Sequence, residues 1–183
     1  MRLTSSAGSI LTLLALTVAC TSRPAPLPDD RPLGNVTASP RECDLVSANA
    51  IKIATGFTEY KAVGTKMDKG RFASCSVAEN LTPKGKLGLV IELFDPSPND
   101  AEDLENTKLS TRGNDLPDEL GPGFAAQRKD GKEQTISFVY GWTPDIQRLL
   151  TVSIVENVPG RDSLADATEF FRQLKPILLD KPK

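Results

Sequence analysis

The sequence predicts an α+β fold: a single domain, mainly an antiparallel sheet packed against about three helices, in the order helix, strands, helix, strands, helix. Three observations carry that prediction. Apolar and polar residues alternate with a period of two in several short stretches, as at Leu87, Leu89, Ile91 and Leu93. Asp130-Gly131 stands between two such stretches, and that pair tolerates the left-handed backbone a tight hairpin needs. The last segment instead repeats its apolar residues at helical spacing, through Leu164, Ala167, Phe171, Leu174 and Leu178.

Each element follows from local chemistry, within a domain expected to span residues 41–180. Ser47 is placed to cap a short first helix, with Ile51 and Ala54 facing inward and Gly56 as its stop. Arg71 to Val77 reads as a strand with Ala73, Cys75 and Val77 on one face. Pro83-Lys84-Gly85 turns the chain into the strand Leu87 to Phe94. Ser97 as cap and Pro98 at the first helical position open a second helix, where Asp100, Glu102, Asp103 and Glu105 suit the positive end of the dipole. Its apolar stripe is thin: Ala101, Leu104 and the stem of Lys108. Arg112 to Gly123 is a loop rich in Gly, Pro and Asp. A strand through Phe124 and Ala126 then pairs, across Asp130-Gly131, with one carrying Ile136, Phe138, Tyr140 and Trp142 on a single face. Thr143-Pro144-Asp145 turns into a strand from Leu149 to Val155, with Leu150, Val152 and Ile154 toward the core. Ser163, with Asp166 three residues on, is read as the cap of the last helix, and Pro176 should end or kink it.

Before the domain comes an address label. Arg2 supplies a positive charge, Ile10 to Leu16 a short apolar run, and Thr17-Val18-Ala19 small residues directly before Cys20. That order is a secretory signal, too short to serve as a membrane span. With cysteine at the cleavage point it resembles the lipobox of bacterial lipoproteins, although Thr17 stands where Leu is usual. The resemblance implies removal of residues 1–19, acylation of Cys20 and a protein anchored by lipid on the extracytoplasmic face of the cell membrane. One acyl chain binds marginally and two bind stably, at roughly 0.8 kcal/mol per buried methylene. The alternatives are an ordinary cleaved leader, leaving a free Cys20 on a secreted protein, and an uncleaved anchor. Residues 20–40 carry Pro24, Pro26, Pro28, Pro32 and Pro40 and should form an extended tether without a core. At about 3.1 Å per residue its full reach would be roughly 60 Å.

Composition narrows the function classes. The chain of 183 residues carries a formal net charge of −2, and −3 once Arg2 leaves with the signal. No Lys/Arg cluster forms a stripe that could track phosphates, which argues against nucleic acid as a partner. There is no histidine, so Ser-His-Asp and Cys-His catalysis, His-ligated zinc and His-based pH switching are excluded. Neither a G-x-S-x-G elbow, an S-x-x-K motif nor a P-loop occurs. No cofactor and no metal are expected. Once Cys20 is acylated, Cys43 and Cys75 remain, in a compartment where thiols pair. Closing that loop would stabilise by roughly 3.5–4 kcal/mol in the chain-entropy model. Two free buried cysteines are the alternative.

The lipobox, the Pro-rich segment, Cys43-Asp44-Leu45 opening the domain and Cys75 in an early strand together resemble the small actinobacterial lipoproteins of domain-of-unknown-function family 3558. Leu120-Gly121-Pro122-Gly123-Phe124-Ala125 is similar to a loop and strand start in related envelope sensor-type domains. The chain departs at Val77, near which such proteins often carry an aromatic residue. The resemblance implies an envelope lipoprotein and brings no catalytic residues with it.

Four constellations bear on chemistry. Tyr140 and Trp142, with Phe124 beside them, are either core or the wall of a pocket for an apolar or glycan ligand. Asp115, Asp118 and Glu119 on the long loop are the candidates for carboxylate hydrolysis, which needs no histidine. Asp95 to Asp100 faintly suggests a calcium loop, but lacks the Gly and the closing Glu such a loop needs. Asn35-Val36-Thr37 and Asn80-Leu81-Thr82 match a glycosylation triplet, a pattern common by chance. The expected function is a non-enzymatic, membrane-anchored protein that binds an envelope lipid, glycan or protein through one sheet face or the long loop. The alternatives are a carboxylate hydrolase and a purely structural accessory subunit.

Overall fold

Alternating strands and two amphipathic helices build the protein around one seven-stranded antiparallel sheet. The structure is a computed structural model and describes residues 26–79, 85–129, 134–155 and 158–180. In chain order the elements are β1 (Arg41–Glu42), β2 (Val46–Ser47), α1 (Ala48–Thr55), β3 (Tyr60–Lys66), β4 (Phe72–Glu79), β5 (Leu87–Phe94), α2 (Ala101–Thr111), β6 (Asn114–Asp115), β7 (Gly123–Lys129), β8 (Thr135–Trp142), β9 (Leu149–Ile154) and α3 (Ser163–Leu178). The sheet order is β3-β4-β5-β9-β8-β7-β6, and β1 with β2 forms a separate small hairpin. The expected α+β architecture and element order are observed.

Period-two alternation fixes which face is core. Leu89 and Ile91 of β5, Val139 of β8, and Leu150, Val152 and Ile154 of β9 are all buried on one side. Ala50, Ile51 and Ala54 of α1 and Ala167, Phe170, Phe171 and Leu174 of α3 cover them. Gly141 of β8 makes this packing close: a Cβ there would run into the ring of Phe171. Gly56 ends α1 in the left-handed conformation, at φ 71°, and its N–H donates to the Lys52 carbonyl.

The caps differ from expectation in a consistent way: an aspartate outcompetes a nearby serine. Asp100, not Ser97, caps α2, its carboxylate accepting from Asp103 N–H at 2.9 Å in a reciprocal capping box. Asp162, not Ser163, caps α3, accepting from Leu164 and Ala165 N–H at 3.0 Å each. Ser163 is buried instead, its hydroxyl 2.7 Å from that of Ser137. Ser47 precedes α1 but makes no side-chain cap. Pro176 lies in the last turn, and α3 ends two residues later. β7 and β8 pair from Gly123↔Gly141 to Lys129↔Thr135, as a hairpin requires. Asp130-Gly131 itself, and Pro83-Lys84, lie outside the described residues.

The β1–β2 hairpin, β6 within the segment read as the Arg112–Gly123 loop, the strand β3 and the docking of residues 26–40 carry no comparable signal in the sequence. β3 is an added edge strand, short of apolar residues and mostly exposed, so it carries little periodic signal. Residues 26–40 are not a free tether. Leu33 and Val36 are buried in the main core, and residues near Asp29 dock against the start of α3. Asp29 N–H donates to the Gly160 carbonyl at 2.9 Å, Val36 N–H to Gln173 Oε1 at 2.9 Å, and Gln173 Nε2 to the Gly34 carbonyl at 2.8 Å. Arg161, nearly buried, pairs with both Asp29 and Asp166. Two apolar residues and a set of satisfied backbone groups therefore hold a strap whose prolines already restrict the unfolded chain. The packed domain begins well before residue 41.

Cys43 and Cys75 form a disulfide, with Cα atoms 5.8 Å apart. Cys43 lies in the turn of the β1–β2 hairpin, so the bond ties this hairpin, just ahead of α1, to β4. Cys43 and Asp44 both take positive φ, 52° and 60°, and Leu45 N–H closes the turn onto the Glu42 carbonyl at 2.9 Å. Left-handed geometry costs a non-glycine residue roughly 1–2 kcal/mol. The disulfide holds the turn against that cost, and Lys66 pairs with Asp44 at 2.9 Å on its exposed side.

Candidate functional site

The second face of the sheet carries different chemistry. Cross-strand register aligns one residue from every strand in a single row: Thr65, Ser74, Glu92, Thr151, Tyr140, Phe124 and Asp115. The neighbouring row runs Val63, Ser76, Val90, Ser153, Phe138 and Ala126. Residues opposed in register project from the same face, so these rows are contiguous surface.

The β7–β8 half of this face is an aromatic cluster. Phe124 stacks on Tyr140 with centroids 5.2 Å apart and planes 14° from parallel. Phe138 and Trp142 meet Phe124 edge-on, at 6.3 and 6.2 Å. The chain leaving α2 closes over this cluster, since a Cβ at Gly113 would approach the Phe124 ring to 2.6 Å. The Arg128 guanidinium stands 5.7 Å from the Phe138 centroid, a cation–π contact. Burial pushes the Tyr140 phenol above its ordinary pKa; Arg128 opposes the shift and Glu92 adds to it.

The β3–β4–β5–β9 half is hydroxylated. Thr65 and Ser74 hydroxyls lie 2.7 Å apart, Thr151 is buried, and Ser76 and Ser153 are half-buried beside them. Glu92, half-buried on a central strand, has no side-chain hydrogen bond or ion pair among the described residues. With Thr151 buried, this surface offers a carboxylate acceptor, the hydroxyls of Thr65, Ser74, Ser76 and Ser153 and a partly exposed aromatic edge, a combination suited to a ligand rich in hydroxyls.

The residues singled out from sequence fare unequally. Phe124 is fully buried and cannot touch a ligand; its ring is the centre of the aromatic cluster. Tyr140 and Trp142 are half-buried members of the same cluster. The main cavities lie elsewhere, along α3, beside the disulfide and at the 143–148 turn, and Trp142 lines none of these three. Asp115 pairs with Lys108, while Asp118 and Glu119 are exposed on the 3-10 turn that follows. Asp95 pairs with Arg71 at 2.8 Å and Asp100 caps α2, so this loop's carboxylates already have structural partners. Among the described residues no group of three or more His, Cys, Asp or Glu could hold a metal ion. The Asn35 carboxamide oxygen accepts from Thr37 N–H at 2.9 Å and from its hydroxyl at 2.8 Å, a local turn. Cys20 and Asn80-Leu81-Thr82 lie outside the described residues. Glu92 was missed, although a lone carboxylate inside the run Leu89-Val90-Ile91-Glu92-Leu93 was its visible sign.

No family model, curated protein or solved structure matches the chain. No helix of the described residues is long and apolar enough to cross a membrane.

Proposed function

We propose that the protein is a lipid-anchored extracytoplasmic binding protein, similar in kind to the small actinobacterial envelope lipoproteins, which takes a hydroxyl-rich ligand on the second face of its sheet. The row Thr65–Ser74–Glu92, with Tyr140 beyond the buried Thr151, carries this reading: a half-buried carboxylate with no side-chain partner among the described residues, between hydroxyls and an aromatic edge. A core needs no such row. Acylation at Cys20 supplies the anchor, and the docked strap then sets the geometry. The Leu27 carbonyl packs against Gly160, seven residues from Cys20. At roughly 3.3–3.6 Å per residue seven residues span at most about 25 Å, so an acylated Cys20 would keep the Gly160 corner within that distance of the membrane.

Two experiments test the reading. Titrating the mature chain carrying Cys20→Ser with neutral oligosaccharides, followed by isothermal calorimetry, should show binding that Glu92→Gln weakens; no binding across the series overturns the ligand assignment. Intact mass spectrometry of native material should show a diacylated or triacylated Cys20, and an unmodified thiol there overturns the anchor.

No specific observation favours the hydrolase reading over this one. Its three loop carboxylates are exposed, and none lines the cavities along α3, beside the disulfide or at the 143–148 turn.

A further inference from the structure

Where the main core meets the β1–β2 hairpin it does not close. Eight half-buried apolar residues border that core, and four of them, Cys43, Ala62, Phe72 and Ile177, line one cavity of about 440 Å³. This volume falls within the roughly 300–1,000 Å³ of small-molecule sites. The floor comes from β3, β4 and the last turn of α3, and the disulfide ties β4 to the hairpin beside it. Its wall is the left-handed Cys43–Asp44 turn, the kind of strained backbone that persists where the surroundings fix it and that gathers at binding sites. Gly64 completes the shape: a Cβ there would come within 3.0 Å of Cys43 Cβ.

Charge at the mouth is uneven. Arg41 and Lys66 stand on it against Asp44 alone, on a chain that is net acidic. Lys66 pairs with Asp44 at 2.9 Å, but both side chains are more than half exposed, so the pair is weak and easily redirected. Arg41 makes no ion pair among the described residues. An apolar floor below an excess of positive charge fits a molecule with an aliphatic tail and an anionic head.

We propose that this cavity is a second binding site, sharing only the edge residue Thr65 with the sheet-face row, for a single-chain aliphatic carboxylate. The tail lies on Ala62, Phe72 and Ile177, and the head accepts hydrogen bonds from Arg41 and from Lys66 as it turns from Asp44. The proposal stands on the cavity and its mouth and does not rest on the sheet-face ligand.

The test uses decanoate below its micelle concentration and the mature chain carrying Cys20→Ser, which needs no detergent. Calorimetry should show one decanoate per chain with a negative heat-capacity change, the mark of apolar burial. Filling the floor with Ala62→Trp should abolish binding. Ile177→Trp gives a second filled variant if the first misfolds, with the unfolding midpoint as the check. Arg41→Ala should weaken decanoate about tenfold or more, and decyltrimethylammonium should not bind. Glu92→Gln should bind decanoate normally, which separates this site from the sheet face. Absence of binding to the parent chain, binding unchanged in both filled variants, or equal binding of the cation would each overturn the proposal.

Discussion

The two faces of the sheet differ in what they ask of the sequence. On the covered face, Leu89, Ile91, Val139, Val152 and Ile154 meet the apolar seams of α1 and α3, and every position is explained by burial. On the other face, hydroxyls and Glu92 share the rows with an aromatic cluster, and Ser76, Glu92 and Ser153 there stay half-buried. A fold can be built from one good face. What the second face carries beyond its aromatic cluster is open to another use, and substitutions should sort the two accordingly.

The sharpest contrast is a large truncation on the covered side. Phe171→Ala should destabilise by about 3–5 kcal/mol, because its ring fills the space above Gly141; chemical denaturation measures it. Next is the strap. Arg161→Ala leaves Asp166 buried without its partner and should also lower stability, by up to about 3–5 kcal/mol, with proteolysis before residue 37 as the local readout. Cys43→Ser follows, with a loss of about 2–4 kcal/mol under oxidising conditions and none when both proteins are reduced. Glu92→Gln should be the smallest, within about 0.5 kcal/mol, while removing most of the ligand affinity. A large stability loss at Glu92 would erase the distinction between the faces.

The strap also has a pH dependence whose sign is fixed. A hydrogen bond from Arg31, with Arg161 adding attraction, holds the Asp29 carboxyl well below the usual carboxylate range. Its contribution is complete above the unfolded value, about 3.9, and is lost as pH falls through the lower folded value. Burial raises Asp166, which works the other way: its proton is taken up more readily in the fold, so acidification relieves strain there. Amide exchange should therefore show the strap near Asp29 loosening below about pH 3.9 while the sheet stays protected.

Most of the covered face was legible in the sequence, and for a physical reason. Alternation at Leu89, Ile91 and Leu93, and the helical seam through Phe171 and Leu174, are periodic signals that burial imposes directly. The Cys43–Cys75 bond was legible because, with Cys20 expected to carry lipid, two cysteines were left to pair. The caps were misassigned because serine and aspartate compete for the same N–H groups within three residues, and only geometry decides. The strap was misread because proline content signals a tether, whereas Leu33 and Val36 are too few to signal a core contact. The row through Glu92 was illegible as a row, because register joins residues far apart along the chain.

The most direct test of the central claim follows backbone amide shifts of the mature Cys20→Ser chain as a neutral oligosaccharide is added. Perturbations are expected at Ser74, Glu92, Thr151 and Tyr140, with α3 unaffected and the effect lost in Glu92→Gln. Shifts confined to α3 and the strap, or an identical response in Glu92→Gln, would contradict it.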